Sequence, residues 1–200
     1  MKNLLLYILL SFLFFGCSEK KSENDIKNWD IEGIRIGDSL LNYMTKEEII
    51  REIESSKNMY QNLTDEFGQV HLNRGFNKYD FLSFRVKIRD ENYYIQSVSG
   101  NLSFDNKLNS CLEEQKKIEK KFSSKYPNLT KRKKTYTYPF DSTGESVSHN
   151  VMFDFESGGQ FEVNCAVFKE GLKKKYKWKD GLITSIHTKE VVKWFDNVIN

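Results

Sequence analysis

With 200 residues, 38% of them hydrophobic and 30% charged, the chain has room for one globular domain of ordinary size. Its 31 basic and 28 acidic side chains leave a net charge of only +3, which excludes the strongly basic balance of a general nucleic-acid binder. The three histidines and three cysteines show no paired ligand spacing, so no metal site or metal cofactor is expected.

At the N-terminus, Lys2 precedes a mainly apolar run from Leu4 to Phe15, which ends at Gly16-Cys17. A basic start and a short apolar stretch fit the first two regions of a secretory signal, and a spanning helix would need about 20 apolar residues. The stretch Leu13-Phe14-Phe15-Gly16-Cys17 resembles a bacterial lipoprotein signal. That resemblance implies a signal peptide over 1–16, lipidation of Cys17, and a protein anchored to a membrane of the cell envelope. Ser18 stands where an Asp would mark inner-membrane retention, so in a two-membrane cell the resemblance implies the outer membrane, facing the periplasm. From 17 to 28 the chain is rich in Ser, Glu, Lys, Asn and Asp, and reads as a flexible tether. A single domain is expected over 29–200.

The segment Ile34-Arg35-Ile36-Gly37-Asp38-Ser39-Leu40-Leu41 carries two resemblances. Gly37-Asp38-Ser39-Leu40 is similar to the first block of the GDSL hydrolases, a likeness that would make Ser39 the nucleophile of a serine esterase. The oxyanion and His blocks of that family are missing, and the preceding residues carry Glu32, Gly33 and Arg35 where a central parallel strand would be continuously apolar. Ser39 is therefore read as a turn and helix cap, with no catalytic residue assigned. The longer segment resembles the opening of small exported bacterial lipoproteins, a likeness that brings no activity with it.

Thr45-Lys46-Glu47-Glu48 is a capping box opening a helix over Ile49, Ile50 and Ile53. Alternating runs at Leu82–Ile88 and Tyr94–Phe104 predict two strands joined by a polar turn. A helix follows over Leu108–Tyr126, stopped by Pro127, with a solvated face of mixed charge. Extended segments are expected at Thr135–Tyr138, Val151–Phe155 and Phe161–Phe168, the last two joined through Gly158-Gly159. A strand at Leu182–Ile186 and a helix opened by Thr188 close the chain.

These elements predict an α+β fold, an antiparallel sheet of five to six strands with two or three helices packed on one face. Cys111 falls on the inner face of its helix and Cys165 on the buried face of its strand, so a disulfide between them is expected in an oxidising compartment. The other sheet face carries Lys87, Gln96, Asp154, Glu162 and Asn164. Half-covered sheets of this kind bind partners. Basic clusters at Lys131-Arg132-Lys133-Lys134 and Lys173-Lys174-Lys175 lie beside Tyr136, Tyr138, Tyr176 and Trp178. An envelope protein or an anionic polymer is the partner class these features expect, and the function expected is non-catalytic binding or a structural role at the envelope.

Overall fold

The computed structural model describes residues 26–59, 66–105 and 107–199. The expected signal peptide over 1–16 and the lipidation site Cys17 lie outside these residues. The short hairpin β1 (Asp30–Ile31) and β2 (Ile34–Arg35) comes first, followed by helix α1 (Lys46–Met59). Then come strands β3 (Phe67–Leu72), β4 (Phe81–Lys87) and β5 (Ile95–Ser103), and helix α2 (Leu108–Lys125). The C-terminal part comprises β6 (Thr130–Thr137), β7 (Val147–Asp154), β8 (Gln160–Val167), α3 (Glu170–Tyr176), β9 (Gly181–His187) and α4 (Lys189–Ile199).

The seven longer strands form one antiparallel sheet in the order β3-β4-β5-β9-β8-β7-β6, and β1-β2 stand apart as a pair. The first three are a meander, and so are the last four, which begin at the far edge and return to the centre. Joining them requires α2 to carry the chain across four strand spacings, about 19 Å at the usual separation, which a helix of 18 residues spans at about 27 Å.

One sheet face is the core. Phe84, Val98, Ile186, Phe161 and Phe153 stand side by side in register, each at most 1% exposed. Helix α2 lies on this face. Its Phe122 ring stacks on Phe161 at 3.8 Å and meets Trp29, Tyr126 and Phe153 at 4.9 Å or less. Gln115, also buried, donates its amide to the carbonyls of His149 and Val163, so the one long polar side chain on this helix face is satisfied by the strands beneath it. Cys111 of α2 is bonded to Cys165 of β8, with their Cα atoms 5.9 Å apart. Helix α1 covers the same face over β3, where Gly68 lets Ile53 approach so closely that a Cβ would lie 2.7 Å from it.

Two expectations are corrected. The sheet has seven strands rather than five or six, and the helices are not confined to one face. Helix α4 packs on the opposite face, where Trp194 meets Phe67 at 5.6 Å and Phe195 meets His187 at 5.3 Å. With α1 on one side and α4 on the other, the first four residues of β3 are all buried, so its sequence lacks the alternation of a half-exposed strand. Residues Ile26–Asn28, read from composition as the end of the tether, form a 3-10 turn with Ile26 buried in the core. Among the described residues no helix is long and apolar enough to cross a membrane.

The disulfide closes a separation of 54 residues, and in the chain-entropy treatment of the unfolded state this is worth about 4 kcal/mol. Reduction is expected to lower the unfolding free energy by about that amount, read as a lower urea midpoint with a steeper slope, since the unlinked unfolded chain exposes more surface. A midpoint unmoved by reductant would show that the bond carries no stability.

Candidate functional site

The face opposite the core is divided in two. Helix α4 covers the part nearest the start of β5 and the end of β9, where Arg85 places its guanidinium 4.7 Å from the Trp194 ring and 5.1 Å from the Phe195 ring. Beyond α4 the register brings together an array of small polar groups. Ser83, Ser99, Ser185 and Glu162 lie across β4, β5, β9 and β8, and Asn101, Ile183, Asn164 and Asn150 form the next row across β5, β9, β8 and β7.

These groups are connected by hydrogen bonds. Ser185 donates to Ser99 at 2.8 Å, and Asn101 donates to Ser83 at 3.2 Å. Asn150 and Asn164 both donate to Oε1 of Glu162, and Ser148 donates to Asn150. The Asn164 carbonyl oxygen is buried with no hydrogen-bond partner among the described residues. Burial pushes the Glu162 carboxyl up from its ordinary range, opposed by the amides of Asn164 and Asn150 and by the charge of Arg132. The ring contacts of α4 fall on Phe67, His187 and Arg85, and the array lies in the rows beside them. Its capacity is for hydrogen bonding to a polar ligand: hydroxyls, amides and one carboxyl that can serve as acceptor or donor.

Under the edge of α4, the Ser97 hydroxyl lies 2.8 Å from Nδ1 of His187, whose Nε2 is 3.8 Å from Oε2 of Glu162. This sequence of groups has the outline of a catalytic triad, but its setting is that of a buried structural link. Ser97 is 2% exposed, and its strand pairs on both sides, so the neighbouring backbone N–H groups serve the ladder rather than a nascent oxyanion. Burial, reinforced by the positive charge of Arg85, pulls the His187 imidazole down to about 3. The ring is therefore neutral at neutral pH, and its contact with Glu162 is not an ion pair of the imidazolium.

The residues singled out by sequence are dispersed. Ser39 caps the 3-10 turn Leu40–Asn42, accepting from the N–H of Leu41 and donating to the carbonyl of Asn92 at 2.6 Å. The three histidines sit apart: His71 with Gln69 and Glu52, His149 with Thr135, His187 with Ser97. Among the described residues no group of three or more His, Cys, Asp or Glu is placed to hold a metal ion. Of the expected polar-face residues, Asp154, Glu162, Asn164 and Lys87 lie on that face, whereas Gln96 is the extra residue of a bulge against β4 and has no place in the row.

The cluster at Lys131 lies on the outer edge strand β6, and two carboxylates neutralise half of its four charges. Lys131 and Lys133 both bind Glu119 of α2, at 3.1 and 2.7 Å, and Arg132 makes a two-pronged contact to Asp154 at 2.6 and 2.8 Å. A row of charged side chains on an exposed edge also discourages pairing with another sheet. Sequence reading missed Ser83, Ser99, Asn101, Asn150 and Ser185, whose common feature, small polar side chains at alternate positions, becomes visible only once strand order is known.

Because His187 folds with a depressed pKa, the unfolded chain binds the extra proton below its own value near 6.5. Stability is therefore expected to fall as pH drops from about 6.5 towards 3, by at most about 1.4 kcal/mol per pH unit from this group. His187→Gln removes that slope, and urea midpoints at pH 7, 6 and 5 measure it. Equal slopes in the two proteins would place the acid sensitivity elsewhere.

No protein-family model matches this sequence, and neither a curated protein nor a solved structure matches it.

Proposed function

We propose that this protein is a lipid-anchored component of the cell envelope, held by Cys17, whose domain acts by binding rather than by catalysis. Its ligand surface is the open hydroxyl and amide array on β5, β9, β8 and β7. The observation that supports this reading is the asymmetry of the sheet. One face is sealed by α1 and α2, while on the other α4 packs against one end and polar side chains stand in rows beyond it. The envelope location rests on the resemblance of Leu13-Phe14-Phe15-Gly16-Cys17 to a lipoprotein signal.

The test is a native mass spectrum of the protein gently extracted from its own membrane, followed by a denatured spectrum of the same sample. A chain beginning at Cys17 with added acyl mass, and a ligand lost on denaturation, are expected. Asn150→Ala combined with Asn164→Ala is expected to reduce ligand occupancy at least tenfold, with the melting temperature changed by only a few degrees. Ser39→Ala is expected to cost about 1 kcal/mol of stability through the lost cap while leaving occupancy intact. An unacylated chain overturns the anchor. Full ligand occupancy in the double variant overturns the array, and turnover of a short acyl ester abolished by Ser39→Ala establishes an esterase instead.

A further inference from the structure

At the end of the sheet where β6 and β8 finish and β9 begins, five aromatic rings form a cluster apart from the main core. Tyr138 stacks on Phe140 at 4.9 Å and on Phe168 at 5.3 Å, and Trp178 meets Phe140, Phe168 and Tyr176 at 5.2, 5.0 and 4.7 Å. None of the five is fully buried, and Phe140 is 52% exposed. A single exposed ring is ordinary, but Phe140 stands against four other partly exposed rings, and together they make a contiguous apolar patch.

The same lobe concentrates positive charge. Between Lys169 and Asp180 the chain carries six lysines against two carboxylates, an excess larger than the net charge of the whole protein. Lys169 and Lys173 are engaged with Glu145, Glu170 and Asp180. Among the described residues, Lys174, Lys175, Lys177 and Lys179 have no carboxylate within ion-pair distance. Lys175 lies 4.8 Å from the centre of the Tyr176 ring, and on β6 Lys134 lies 4.5 Å from that of Tyr136, so cations and ring faces alternate. A shallow pocket of about 280 Å³ borders the cluster, lined by Trp178, by Lys173, Lys174 and Lys179 and by the carboxylates of Asp105, Glu170 and Asp180, so the unpaired lysine charge lies at its rim rather than within it.

We propose that this aromatic and lysine lobe is a binding surface for an acidic polysaccharide. Flat rings offer apolar platforms to the C–H faces of sugar rings, and flexible ammonium groups meet carboxylates or phosphates carried along the polymer. Three of the ring pairs lie within 28° of parallel, giving a self-supporting platform rather than a wedge that would enter a bilayer. The position also favours a partner away from the tether. Ile26 packs over Gly159 at the β7-β8 turn, the opposite end of strand β8, which at 8 residues is about 26 Å long. This surface is distinct from the hydroxyl and amide array, and its fate does not decide that reading.

The experiment measures binding of the purified full chain to polygalacturonate at low and moderate salt, with dextran, poly-glutamate and vesicles of phosphatidylcholine and phosphatidylglycerol as comparisons. Polygalacturonate is expected to bind at least tenfold more tightly than dextran, which lacks charge, and than poly-glutamate, which lacks sugar rings. Phe140→Ala, at a half-exposed position that spares folding, is expected to weaken binding at least fivefold. The combined Lys174→Gln, Lys175→Gln, Lys177→Gln and Lys179→Gln variant is expected to weaken it at least tenfold and to flatten its salt dependence, while Ser39→Ala, at a turn cap outside both surfaces, leaves it unchanged. No binding to polygalacturonate, equal binding to poly-glutamate, an unaffected Phe140→Ala variant, or capture by vesicles without capture by the polymer each overturns the proposal.

Discussion

The pairing of β5 with β9 is the constraint on which the rest of the molecule depends. It joins Ser97–Ser103 to Gly181–His187 over seven register pairs and fuses two meanders into one sheet. Without it, the first meander is a three-stranded sheet with one helix, and the second has an open apolar edge at Leu182 and Ile186. Because β9 lies so late in the chain, this central ladder joins residues 78 to 90 positions apart in sequence. The helix α2 bridges the waiting halves. Its Phe122 is locked between Trp29, Phe153 and Phe161, so it belongs at once to the segment before the first hairpin and to the second meander.

The same ladder creates the polar face. Ser99 meets Ser185, and Asn101 meets Ile183, because the register of β5 against β9 puts them in line, and β8 then adds Glu162 and Asn164 to those rows. Small hydroxyl and amide side chains have modest strand preference, and their concentration at the centre of a sheet is what packing alone would not select. The two halves of this face serve different ends. Beneath α4, His187 and Ser97 satisfy each other in near-complete burial, whereas beyond it the amides of Asn150 and Asn164 gather on a carboxyl that is still partly open.

Much of the architecture was legible in the sequence because the relevant strands have one covered face. The alternation of Phe161, Val163 and Cys165 with Glu162 and Asn164 identified both the strand and its inner side, and with the helical spacing of Cys111 it foretold the disulfide. Strand β3 escaped because burial on both sides erases period two, and α4 was assigned to the wrong side because helical spacing states which face is apolar but not which layer receives it. The polar array was only half visible: Glu162 and Asn164 stood out within one strand, while Ser99, Asn101 and Ser185 acquired meaning from a pairing about 86 residues long in sequence separation. In the aromatic lobe, Tyr138, Tyr176 and Trp178 were noticeable beside lysines, but Phe140 and Phe168 join them only through the return of the chain around α3.

The link between Cys111 and Cys165 encloses more than a loop. Strands β6 and β7, the turn between them and most of β8 lie within the ring of chain that it closes. That turn, at Phe140–Glu145, is the exposed corner of the second meander, held by the Asp141 carboxylate accepting from Thr143 and Ser146. A protease that cuts there severs the backbone without releasing a fragment, since the pieces remain joined through sulfur and each keeps its ladder. The molecule can be nicked at this exposed corner and still travel as one body.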